Sequence, residues 1–320
     1  MTVTDIVDSL GSPMRIFVTG ASGWIGSALV PDLIEAGHQV VGLARSDASA
    51  AALTAAGAEV VRGTVDDLDV LRDTAAASDG VIHLAFKHDI AFSGDFQGAA
   101  EADRRAIDAF GEALAGTDRP FVIASGLAGL APGRVATELD MPTHDFAPFT
   151  IRSATAREVL ALASHGIRSS VVRLSPTCHG DGDNGFMAAL VAVARDKGVS
   201  GYIGDGVNRW PAVHRRDAAH LFRLAVEQAP AGSVLHGVAE EGVAIRDVAE
   251  VIGRHLDVPV VSVAPEAAGA HFTWLGALLG LDIPASGNLT RELLGWKPTH
   301  TDLLEDLDEG HYFTGPATTA

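Results

Sequence analysis

The chain has 320 residues, 47% of them hydrophobic and 20% charged, which suits one large α/β domain or two modest ones. A formal net charge of −18 argues against nucleic acid or an anionic membrane surface as partners, because both reward basic patches. The single cysteine, Cys178, excludes an intramolecular disulfide and fits a reducing, cytoplasmic compartment.

Residues 1–13 are acidic and lack the basic and apolar regions of a signal peptide, so they read as an extension before Met14. No apolar run reaches transmembrane length. The first predicted strand, Arg15–Thr19, runs into Gly20-Ala21-Ser22-Gly23-Trp24-Ile25-Gly26 and then a helix, Gly26–Ala36, that stops at Gly37. Strand, glycine loop and helix in that order is the setting of a dinucleotide-binding loop. Gly20 permits the tight turn, Gly23 lets the backbone approach a pyrophosphate, and Gly26 allows close helix–strand packing. The helix N-terminus offers unpaired N–H groups to phosphates.

Further strands are expected at Gln39–Ala44, Glu59–Arg62, Gly80–Leu84, Pro120–Ser125 and Ser169–Leu174. Helices are expected at Ala48–Ala56, Asp67–Ala76, Gly98–Ala115 and Arg152–Ser164. This alternation implies parallel strands with right-handed crossovers, and the apolar strands imply a sheet covered on both faces. Beyond residue 175 the rhythm breaks around Pro176, Gly180, Gly182 and Gly185; strands follow at Leu235–Val238 and Val258–Val263, and helices at Arg246–His255 and Asn288–Leu294. The expected fold is α/β: a Rossmann doubly wound parallel sheet over 14–175, with a smaller C-terminal α/β substrate-binding part over 176–320, interleaving of segments between the two being allowed, and a cleft for a small-molecule substrate between them.

The second strand ends at Arg45-Ser46 rather than at an acid. Arginine suits a 2′-phosphate, so NADP is favoured over NAD, the alternative being a surface arginine. Asp66 is placed for the adenine edge with Leu68 against the ring, or, with Asp67, caps the next helix. Leu84 and Ala85 end the fourth strand, where small apolar side chains let a cofactor cross the sheet's carboxyl edge. Pro176 follows the sixth strand, at the same carboxyl edge.

These segments resemble the extended and atypical short-chain dehydrogenase/reductase superfamily from Arg15 to the C-terminus. The resemblance rests on the Thr19–Gly26 loop, Asp66-Asp67-Leu68, His83-Leu84-Ala85, Ile123-Ala124-Ser125, Arg173 to Gly180, Gly204-Asp205-Gly206, Pro211 to Asp217 and Leu294-Gly295-Trp296-Lys297-Pro298. It implies an NAD(P)-dependent enzyme that pairs through two helices, here Gly98–Ala115 and Arg152–Ser164, as a homodimer. It also implies a Tyr-x-x-x-Lys pair on the helix after the fifth strand, and here the chain departs from the family. Thr150 stands at the tyrosine and Ala154 at the lysine, and Asp103-Arg104-Arg105 occupies the place of the usual asparagine. A threonine hydroxyl is too weak an acid, and alanine carries no charge.

Ser125 remains to polarise a carbonyl. Replacement groups are His179, as a near-neutral acid or a loop residue; Tyr202, in the cleft or packed; and Lys87, which follows the fourth strand and binds the ribose or is solvated. Arg152 is an anion ligand or a surface residue, and His214 and Arg215 fit a structural role better than a catalytic one. Trp210, Phe272 and Trp274 line an apolar pocket or pack a core. Cys178 beside His179 does not make a thiol pair, since neighbours on an extended segment face apart. No histidine or carboxylate spacing marks a metal site. The leading reading is an NADP-dependent oxidoreductase with a non-standard proton donor. A non-catalytic NADP(H)-binding sensor or scaffold is the alternative, and an epimerase or dehydratase ranks behind both.

Overall fold

A computed structural model describes residues 12–142 and 149–314. The first half alternates strand and helix: β1 (Arg15–Thr19), α1 (Gly26–Glu35), β2 (Gln39–Ala44), α2 (Asp47–Ala55), β3 (Glu59–Arg62), α3 (Leu68–Ala76), β4 (Gly80–His83), α4 (His88–Phe92), α5 (Phe96–Leu114), β5 (Pro120–Gly126), α6 (Phe149–Ala161) and β6 (Arg168–Leu174). The second half contains β7 (Thr177–His179), α7 (Phe186–Lys197), β8 (Ser200–Ile203), β9 (Arg209–His214), α8 (Arg215–Gln228), β10 (Ser233–Gly237), β11 (Glu240–Ala244), α9 (Ile245–Leu256) and β12 (Val260–Val263). After these come α10 (Ala268–Phe272), α11 (Gly276–Leu279), α12 (Asn288–Leu294) and α13 (Leu303–Asp308).

Seven parallel strands form one sheet in the order β10-β6-β5-β4-β1-β2-β3. Side chains of successive strand residues point to opposite faces, so each strand feeds two cores. Ile16 and Val18 join Val122, Val172 and Leu29 on one face, where α1 and α8 pack. Phe17 joins Phe121, Val171, Leu71 and Phe110 on the other, under α3, α5 and α6. Strand order reverses between β1 and β4, which makes their carboxyl ends the crevice where ligands bind in this architecture.

The strand expected at Leu235–Val238 belongs to this sheet as its seventh member, so a segment beyond residue 175 interleaves with the first half. The chain therefore crosses residue 175, builds β7 to α8, and returns to the sheet. Much of the second half packs around a core of its own, with Trp210, Val248, Ile252 and Phe272 buried between α7, α9 and two small sheets, β11-β9-β7 and β12-β8. Trp210 and Phe272 are thus core residues and not pocket walls. Trp274 is 49% exposed and lies against the Phe186 ring at 5.6 Å. No helix among the described residues is long and apolar enough to cross a membrane.

Candidate cofactor-binding and catalytic site

The loop after β1 is set by backbone crowding. Gly20 has φ +67°, and a Cβ there would stand 2.8 Å from the Ala85 nitrogen. At Gly26 a Cβ would overlap the Gly20 carbonyl oxygen and press on the Ala21 backbone. The Gly23 N–H donates to the Gly20 oxygen at 2.9 Å and closes the turn. No side chain caps the N-terminus of α1 at Ile25, and the Ser27 and Ala28 N–H groups donate to the Gly23 and Ile25 carbonyls at 2.9 and 3.0 Å. Ser22 lies exposed on the loop. These features fit a pyrophosphate at the β1–β4 crevice.

Trp24 ties this loop to the second half of the chain. Its Nε1–H donates to the Cys178 carbonyl at 2.9 Å, and the Arg215 guanidinium covers its ring at 4.5 Å. Burial pushes the Cys178 thiol pKa up, which disfavours a thiolate. Behind the loop runs a buried chain that sequence reading did not find. The Ala85 N–H donates to Thr19 Oγ1 at 3.2 Å, which lies 2.6 Å from His83 Nδ1; His83 Nε2 lies 3.1 Å from Asp103 Oδ1. With the imidazole proton on Nε2, each donor in the chain meets one acceptor. Asp103, at the place of the family asparagine, thus reaches the glycine loop through His83.

At the β2 rim the Arg45 side chain is 72% exposed, with Asp89 3.7 Å away. Ser46 caps α2, its Oγ accepting from the Ser49 N–H at 3.1 Å. Asp66, expected at the adenine edge, forms ion pairs with Lys87 at 2.5 Å and Arg105 at 3.5 Å. Lys87, expected to stand in for the family lysine, is held by that carboxylate. Asp67 accepts from the Thr64 N–H at 2.7 Å and its hydroxyl at 2.9 Å, and these bonds lower its pKa. Leu68 opens α3 and packs against the core on that face.

Ser125 is buried at the end of β5, in register with Arg173 on β6. Arg173 is itself buried and donates to the Asp140 carbonyl at 2.8 Å. Burial lowers its pKa from the ordinary arginine value. Next to it, burial pushes His236 down to about 4, leaving a neutral ring whose Nδ1 lies 2.8 Å from the Ser286 oxygen. Glu138 Oε1 accepts from the Thr290 N–H at 2.8 Å and its hydroxyl at 2.7 Å, and that hydroxyl accepts from the His236 N–H. Pro176 follows in the turn between β6 and β7. Ala154 lies on α6; the side chains of Thr150 and Arg152 lie outside the described residues.

His179 is 1% exposed, with Nδ1 2.9 Å from Asp306 Oδ2. Tyr202 packs in the C-terminal core between Gly206 and Arg246, whose guanidinium lies 5.6 Å from its ring. His214 caps α8 through the Arg216 N–H and is pushed down to about 4, first by burial and then by neighbouring His179 and His300. Among the described residues, two groups have donor atoms close enough for a metal, His214–Asp217–His300 and Asp306–Glu309–His311. Sequence spacing hid both, because the first joins residues far apart in the chain and the second is not a histidine pair. Asp217 already accepts from the Thr299 and His300 N–H groups, at 3.0 Å each. An open groove of about 570 Å³ lies in the C-terminal part beside Val207, Arg209 and Arg246. It includes no residue of the glycine loop, and Asp282 and Glu250 pair its arginines.

A doubly wound sheet with a crowded glycine turn at its switch point and a serine ending the fifth strand defines a Rossmann-type protein of the extended short-chain dehydrogenase/reductase class. The chain belongs to the NAD dependent epimerase/dehydratase family, which matches residues 16–236. It is 50% identical over 301 residues, 94% of this chain and 100% of the relative, to an uncharacterized protein, C2A9.02, of Schizosaccharomyces pombe. It is 29% identical to a 4-hydroxy-2-methyl-3-oxo-4-farnesyl-3,4-dihydroquinoline-1-oxide ketoreductase of Stigmatella aurantiaca, over 69% of this chain and 67% of that one. The fold matches a UDP-glucose 4-epimerase of Thermotoga maritima with a TM-score of 0.73 at 20% identity, covering 94% of this chain and 98% of that one.

Proposed function

We propose that the protein is an NADP-dependent oxidoreductase acting on a small carbonyl compound, with a proton donor other than the family tyrosine. The observation that carries this reading is the glycine turn, locked against Leu84 and Ala85 at the same carboxyl edge that ends in Ser125. The Arg45 guanidinium at the β2 rim meets a 2′-phosphate, and the glycine turn and the positive end of the α1 dipole receive the pyrophosphate. Leu84 and Ala85 leave the cofactor room to cross the edge. NADPH, when bound, supplies a hydride. Ser125 donates a hydrogen bond to the substrate oxygen and orients it. Burial of Arg173, Glu138 and His236 behind Ser125 keeps bulk water out of that end of the site. The ketoreductase relative agrees with reduction, and epimerisation also relies on the missing tyrosine.

The test is NADPH oxidation across aldehydes, ketones and imines. Turnover that Ser125→Ala lowers by about 100-fold supports the reading; turnover that Ser125→Ala leaves unchanged sinks the assignment of Ser125. His179→Ala then asks whether the buried histidine contributes. A second reading, a non-catalytic NADP(H) sensor or scaffold, draws on the pairing of Lys87 with Asp66 and of His179 with Asp306. Different affinities for NADP and NADPH with no turnover across the panel would select it. A homodimer through α5 and α6 belongs to either reading, and sedimentation of the full chain tests it.

A further inference from the structure

We infer that Arg62 is a second determinant of cofactor choice, acting by holding Asp47 and Ser46 away from the phosphate that Arg45 receives. This rests on the proposed NADP reading. Parallel pairing puts Arg62, the last residue of β3, opposite Ala44, the last residue of β2, so Arg62 and Arg45 share one rim. Arg62 Nη1 donates to the Ser46 carbonyl at 2.6 Å, and its Nη2 lies 2.9 Å from Asp47 Oδ1. Both groups belong to the turn that leaves Arg45 and enters α2.

The chemistry of Asp47 gives this contact its meaning. A carboxylate just past the β2 tip is the kind of group that accepts hydrogen bonds from an unmodified ribose and repels a 2′-phosphate. Asp47 is fully exposed and would be free to do both, but Arg62, 51% exposed, occupies it. Asp89 stands on the other side of Arg45 at 3.7 Å. With Arg62 present, two guanidiniums face two carboxylates. Without it, Arg45 alone faces both acids, and the rim becomes net negative where a phosphate dianion must lie. Arg62 is therefore a positioning residue whose ligand class is a 2′-phosphorylated adenosine, and its loss shifts preference toward NADH.

The experiment measures dissociation constants of NADPH and NADH for the full-length protein and for Arg45→Ala, Arg62→Gln and the Arg62→Gln/Asp47→Asn double variant. The expected result is a wild-type preference for NADPH, a ratio lowered about 10-fold by Arg62→Gln with NADH binding unchanged or tighter, and partial recovery in the double variant. A wild type without NADPH preference overturns the NADP reading itself. A wild-type preference that Arg45→Ala removes but Arg62→Gln leaves within about twofold overturns the role of Arg62 and spares that reading. Equal weakening of both cofactors by Arg62→Gln, or no recovery on removing the Asp47 charge, also overturns it.

Discussion

The two ends of the sheet's carboxyl edge are built on opposite plans. On the β1-β2-β3 side the charged groups are exposed and paired across the surface: Arg45 with Asp89, Arg62 with Asp47, Lys87 with Asp66. On the β5-β6-β10 side they are sealed in: Ser125, Arg173, Glu138 and His236 are all buried, and His236 is held neutral. Exposed pairs exchange readily for a ligand, because each contributes little to stability. Buried polar groups cannot be exchanged without leaving a partner unsatisfied. One end is therefore open to tuning of what it holds, and the other is committed to a fixed shape.

The largest effect that would break this contrast lies in the backbone of the open end. Gly26→Ala sets a methyl group against the Gly20 oxygen and the Ala21 backbone, atoms that have no room to move. We expect NADPH binding to fall at least 100-fold, roughly 3 kcal/mol, with a lower melting temperature. Titration calorimetry beside a thermal melt checks both. Gly26→Ala binding as tightly as wild type would mean that the exposed charges alone hold the cofactor.

A smaller effect is expected at the sealed end. Glu138→Ala leaves the Thr290 N–H and hydroxyl without their acceptor in a buried setting. The expected loss is about 2–3 kcal/mol of stability. Glu138→Gln keeps an acceptor oxygen and should recover most of it. Chemical denaturation of the two variants separates them. Equal, small losses would show that the network is looser than its burial suggests.

The open end was also the legible one. Continuous apolar runs between turn residues mark β1 to β6, and the glycines mark the loop, because those signals are local in sequence. The sealed end depends on partners that only topology brings together. Glu138 meets Thr290 across 152 positions, and His236 arrives on a strand that returns from the second half to pair with β6. The same limit explains Asp66 and Lys87. Each is expected at the cofactor from its place after β3 or β4, and nothing in the order of residues shows that they bind each other. Arg62 is visible as the end of an apolar strand, but its contact with Asp47 follows from the parallel register of β2 and β3.

The smallest predicted effect concerns pH and sharpens the contrast at the sealed end. His236 has a folded pKa near 4 against an ordinary value of about 6.5. Between those values the unfolded chain binds a proton that the folded chain refuses, so stability is full above about pH 6.5 and is lost as pH falls toward about 4. We expect His236 to account for a loss on the order of 2 kcal/mol over that window. His214, also pushed down to about 4, works in the same direction. His236→Asn retains a donor for the Ser286 carbonyl but does not titrate. Denaturation at several pH values should therefore show a shallower acid slope for His236→Asn, with a residue of slope left to His214. The exposed pairs, being screened by solvent, add little to the stability on either side of this window. An unchanged slope in His236→Asn would mean that the β10 side admits a proton as freely as the β2 rim does, and the distinction between a sealed end and an open one would fall.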